Sequence, residues 1–155
     1  SDVCSSDLTC APQMIQRYMA KISGPLLDRI DLHIEVPVVK FQELASKKAG
    51  ENSATIRERV TKAREIQLRR FTNRKHLFSN AQMQSKEIKE WCKIDNAGEE
   101  LLKMAMTKLG LSARAYDRIL KVARTIADLS ASEEIKTEHL SEAIQYRSLD
   151  RNLWM

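Results

Sequence analysis

The chain has 155 residues, 43% hydrophobic and 30% charged, with 5% aromatics, 4 glycines and 3 prolines, a composition that suits a soluble, mainly helical protein and argues against a sandwich, a barrel or a disordered chain. Lys and Arg outnumber Asp and Glu by 26 to 21, and the net charge of +5 permits a polyanionic partner without requiring one. No apolar run approaches the ~20 residues of a membrane span and no signal peptide is recognisable, so the expectation is a cytoplasmic protein with no membrane partner.

The opening "SDVCSSDL" has no periodic apolar face and resembles the translation of a sequencing adapter, so residues 1–8 are expected to be a non-native scar on a C-terminal fragment. Cys4, Cys10 and Cys92 are odd in number and widely spaced, which suits reduced thiols and neither a disulfide framework nor a zinc site. From Pro12, which a first helical turn tolerates, Met14, Ile15, Tyr18, Met19 and Ile22 recur at helical spacing until Ser23-Gly24-Pro25. Ile30, Leu32, Ile34 and Val36 then alternate with polar residues, the period of a half-buried strand that Pro37 ends. One strand alone leaves its backbone groups unpaired, so its sheet partners are expected upstream of this sequence.

After a linker, the rest reads as helix. Ser53 is the expected cap of a long basic helix running to about Phe71, with Ile56, Val60, Ala63 and Leu68 as apolar positions. A short helix follows over Ser85 to Cys92, and a longer one starts from an Asp95 cap. Gly110 supplies a left-handed C-terminal position, and Ser112 at once caps the next helix, which predicts a sharp corner. In that helix Leu111, Ala115, Ile119, Val122, Ala123 and Ile126 are expected to face the core, with Arg114, Asp117, Lys121, Arg124 and Asp128 opposite. A last helix is expected from a Thr137 cap to Arg147, closing a small bundle.

Chemistry is sparse. The glycines lie too far apart for a P-loop, and His33, His76 and His139 match no metal-binding spacing, so no metal site is expected. Arg29, between Asp28 and Asp31, reads on its own as one half of a surface ion pair worth ~0 to 1 kcal/mol. Arg114 is odder, because a cation in the first turn of a helix opposes the macrodipole. Either Asp117 or a bound phosphate would relieve it. The long helix carries Arg57, Arg59, Lys62, Arg64, Arg69 and Arg70, a footprint compatible with a phosphate backbone or with a solvated face.

Three separated stretches, "SGPLLDRIDLHIEVP", "LGLSARAYDRILKVARTIADLS" and "HLSEAIQYR", resemble the C-terminal part of the magnesium-chelatase-like AAA+ ATPases known as ComM or YifB proteins. The resemblance implies a helical AAA+ lid bundle preceded by a helix and one core-sheet strand of a truncated α/β nucleotidase domain. Residues 9–37 would end that core, 38–52 link it, 53–151 form the lid and 152–155 a tail. By the same resemblance Arg29 is an arginine finger acting in trans and Arg114 is the sensor-2 arginine on ATP phosphate, in cis or in trans. ATP and Mg²⁺ would serve the full-length protein, a hexamer acting on DNA as a helicase in recombination or natural transformation. Arg57, Lys62, Arg69 and Arg70 are the candidate DNA contacts. The alternatives are the motor of a magnesium chelatase, or a non-enzymatic helical module binding nucleic acid or protein. The Walker A and Walker B residues of the family have no counterpart here, so these residues alone are expected to be inactive.

Overall fold

A computed structural model describes residues 12–19, 21, 26, 29–34, 36 and 50–147. Residues 1–8, most of the linker, Asp28, Glu35, Pro37 and the tail, on which several expectations fall, lie outside these. In chain order the elements are α1 (Pro12–Met19), α2 (Ser53–Arg70), a 3-10 turn (Asn80–Gln82), α3 (Ser85–Trp91), α4 (Asn96–Leu109), α5 (Ala113–Leu129) and α6 (Thr137–Gln145). The mainly helical bundle expected of a lid domain is therefore present.

Four of the helix starts have a local cause in a side chain. The Asn52 Oδ1 accepts from the Thr55 amide at 2.9 Å, so Asn52, one residue before the expected Ser53, caps α2. Asp95 caps α4 by accepting from Gly98 N–H at 2.8 Å, and Ser112 caps α5 by accepting from Ala115 N–H at 3.3 Å. Thr137 does not cap α6: it is the first helical residue, and the imidazole Nδ1 of His139 reaches back to accept from the Lys136 amide at 3.1 Å. Between α4 and α5 the backbone turns through Gly110 at φ +60°, and Leu111 N–H donates to the Met106 carbonyl at 3.1 Å. This six-to-one bond closes the helix end as the Gly110-Leu111-Ser112 run predicts.

α5 is the central element, packing against α2, the 3-10 turn, α3 and α6, while α4 packs on α6. Its Ala115, Ile119, Ala123 and Ala127, four residues apart, are completely buried. Three of the four are alanine, which lets neighbouring backbones approach closely. Leu102, Leu140, Ile88, Met83 and Phe71 close around them. Truncating any of the larger ones to alanine would cost ~2–5 kcal/mol.

Three expectations are corrected. Arg124 and Asp128, placed on the solvent side of α5, are buried at 3% and 2% exposure; a stripe count cannot see that Asp128 is shared there by Arg124 and by Arg70 of α2. In α2, Ile56, Val60 and Leu68 are exposed, and the buried positions are Ala63 and Gln67. Every residue from Ser53 to Lys62 is exposed, and the buried and half-buried positions of α2 begin at Ala63. Finally, residues 30–34 and 36 form no strand. The segment lies against α5 and the end of α6, where the Asp31 carboxylate and the His33 amide find their partners.

Candidate functional site

The N-terminal turn of α5 holds Arg114. The cap by Ser112 uses the Ala115 amide, no acidic residue occupies the first turn, and Arg114 is exposed. Asp117 makes no ion pair with it among the described residues. A guanidinium and the positive end of a 17-residue helix thus share one exposed place, an arrangement that attracts an anion and not a cation.

Arg29 is also exposed. Its amide donates to the Leu26 carbonyl at 3.0 Å, closing a turn. Asp31, one of its two expected partners, pairs with Arg118 on α5 instead. The chain just beyond Arg29 is fastened to the bundle twice more: Arg147 donates from its guanidinium to the Ile30 carbonyl, and His33 N–H donates to the Tyr146 carbonyl at 2.8 Å. Arg118 follows Arg114 by one helical turn, so both lie on one side of α5. The structure therefore brings the Arg29 segment to the helix that carries Arg114, a relationship between residues more than eighty positions apart.

The matches with known proteins run along both pieces. Residues 50–147 match the family model for the C-terminal part of magnesium chelatase subunit ChlI, and residues 2–44 match the model for magnesium chelatase subunit ChlI. The chain belongs to the magnesium-chelatase-like family. It is 48% identical over 144 residues to the competence protein ComM of Haemophilus influenzae, covering 92% of this chain and 27% of that protein. The uncharacterized protein YifB of Escherichia coli is 43% identical over 145 residues, or 93% of this chain and 28% of YifB. An uncharacterized protein of Mycobacterium tuberculosis is 32% identical over 142 residues, 91% of this chain and 28% of its own length. The chain thus spans little more than a quarter of these relatives and is a ComM-like member of the AAA+ proteins.

In this magnesium-chelatase-like chain the candidate DNA contacts divide. Arg57 and Arg69 are exposed and make no ion pair among the described residues. Lys62 is exposed too and pairs with Glu58 at 2.7 Å, which raises the lysine pKa and lowers that of the carboxyl through their hydrogen bond. Arg70 is different: its side chain is only 9% exposed and its guanidinium is committed to Asp128 and Asn80. That burial speaks against Arg70 as a DNA contact, because drawing it out would take one of the two guanidinium partners from the buried Asp128 carboxylate.

Arg70 also lies over Trp91, 5.9 Å from the ring centroid, beside a cleft of about 660 Å³ that Arg69 and Lys93 line. The sequence of α2 holds no aromatic residue; Trp91 comes to its basic residues from α3 through tertiary packing. Cys92 is buried, and burial pushes its thiol up to about 12. Among the described residues no group of three or more His, Cys, Asp or Glu is placed to hold a metal, and no helix is long and apolar enough to cross a membrane.

Proposed function

We propose that this chain is the lid portion of a hexameric AAA+ ATPase acting on DNA, in which Arg29 is the arginine finger for a neighbouring protomer and Arg114 is the sensor-2 arginine on ATP phosphate. The observation that carries this reading is the exposure of both arginines on one structural unit. ATP with Mg²⁺ would supply the phosphoryl group to be transferred. The described residues fit the phosphate and not the ion: Arg114 and the first turn of α5 would hold phosphate oxygens, while no acidic cluster for a cation occurs among them. Arg29 would meet the charge that spreads over the γ-oxygens during transfer. Arginine suits that task because it is planar, always charged and forked.

The DNA assignment is supported by similarity to a protein named for competence and by the exposed Arg57, Lys62 and Arg69 on α2. Branch migration during recombination or natural transformation is the activity this reading implies. The family descriptions themselves favour a second reading, the motor of a magnesium chelatase.

ATP turnover by the full-length protein tests both. Arg29→Ala is expected to lower kcat by on the order of 10³-fold, and Arg114→Ala to weaken nucleotide binding. Undiminished turnover in the Arg29 variant removes the finger. Stimulation by branched DNA supports the first reading, whereas dependence on a porphyrin supports the second.

A further inference from the structure

Arg29 is held on both sides. The turn at Leu26 fixes the backbone before it, and three bonds within four residues fix the chain after it. Arg147, buried at 1% exposure, grips the Ile30 carbonyl. Arg118, with a side chain 28% exposed, grips the 50% exposed carboxylate of Asp31. The Tyr146 carbonyl takes the His33 amide.

We infer that Arg118 and Arg147 are positioning residues for Arg29, fastening the finger to the lid of its own protomer through Asp31 and the Ile30 carbonyl. This rests on the reading of Arg29 as a finger. A half-exposed ion pair such as Asp31–Arg118 contributes only ~0 to 1 kcal/mol to stability. Placement is a stricter requirement: a misplacement of ~1 Å at a reacting centre can cost ~10²-fold in rate. The pair therefore matters for where the guanidinium sits and hardly at all for whether the protein folds. Because Arg118 and Arg114 lie on one side of α5, a rotation of the lid carries the sensor and the finger together, and nucleotide state in one protomer sets the reach of that protomer's finger into the next site.

The test uses ATP turnover by the full-length protein. Asp31→Asn and Arg118→Ala are each expected to lower kcat by about ten- to a hundredfold with KM for ATP unchanged, and neither is expected to shift the thermal midpoint. Combining Arg118→Asp with Asp31→Arg is expected to restore most of the loss, whereas either reversal alone does not. If Arg29→Ala abolishes turnover while Asp31→Asn and Arg118→Ala turn over like the parent, the clamp is wrong and the finger stands. A change confined to KM, or a reversed pair that restores nothing, also overturns the clamp. Full turnover by Arg29→Ala overturns the finger and the clamp together. Should Arg118→Ala fail to fold, Asp31→Asn decides alone, since Asp31 supports no part of the core.

Discussion

Arg70 and Asp128 meet as a two-pronged ion pair across 58 positions of sequence, Nη1 to Oδ2 at 2.7 Å and Nη2 to Oδ1 at 2.5 Å. The same carboxylate accepts from Asn80 Nδ2 at 2.7 Å and from Arg124 Nε at 3.1 Å, so both its oxygens are doubly satisfied. Arg124 spends its remaining nitrogens on the Ser132 and Glu133 carbonyls, at 2.6 and 2.7 Å. Burial pulls the Arg124 pKa down and Asp128 opposes it; the group stays charged because arginine starts so high. Asp128→Ala leaves two guanidinium groups facing one another in the interior and is expected to cost ~3–5 kcal/mol. Urea denaturation of the chain should show a lower midpoint with the slope unchanged; a loss under about 1 kcal/mol would mean the network relaxes into water.

The two glycines of α4 and its C-terminus are expected to fail differently. A Cβ on Gly98 would stand 2.8 Å from Leu140 Cδ1 and 3.1 Å from Asp95 Oδ1. Leu140 is completely buried and has nowhere to go, so Gly98→Ala should cost ~1–3 kcal/mol by overpacking. Nothing lies within 4 Å of a Cβ on Gly110. There the cost is the left-handed backbone alone, ~1–2 kcal/mol for alanine and less for asparagine. Thermal unfolding of Gly110→Asn beside Gly110→Ala measures that difference.

Cys92 gives a pH dependence of known sign. Burial pushes its thiol up to about 12, while an unfolded thiol titrates near ~8.5. Between those values the folded chain keeps a proton that the unfolded chain has released, so stability falls as pH rises through that window and the contribution is complete below it. The slope is at most about 1.4 kcal/mol per pH unit. Comparing unfolding free energies of the parent and Cys92→Ala from pH 8 to 11 isolates it; parallel curves would show that the thiol ionises freely in the fold.

For DNA, the informative variant is Arg57→Ala with Arg69→Ala in the full-length protein, since Arg70→Ala would disrupt the core. If both residues meet phosphates, the plot of log affinity against log salt should flatten by about 1 to 2 units. An unchanged slope takes α2 off the DNA path.

The local features of this fold are legible in the sequence, and the distant ones are not. Asp95, Gly110 and Ser112 act on backbone groups within four residues, so their roles follow from spacing. Arg70, Arg124 and Asp128 look like ordinary surface charges until a 58-residue separation is closed, and no periodicity contains that information. Ile56 and Val60 mislead for the opposite reason: they are apolar on a stretch of helix that is exposed throughout. The alternating run after Arg29 has the pattern of a strand, yet among the described residues it joins no ladder. Arg29 reads as one half of a surface ion pair and Arg114 as a cation in want of an anion, but the approach of the Arg29 segment to α5 through Asp31 and Arg118 depends on tertiary structure.

The exposed first half of α2 has a mechanical consequence. All ten residues from Ser53 to Lys62 are exposed, a stretch of helix about 15 Å long. A tilt of roughly 20° at its base would sweep the tip through about 5 Å, so any rocking of α5 transmitted to α2 would reach Arg57 enlarged.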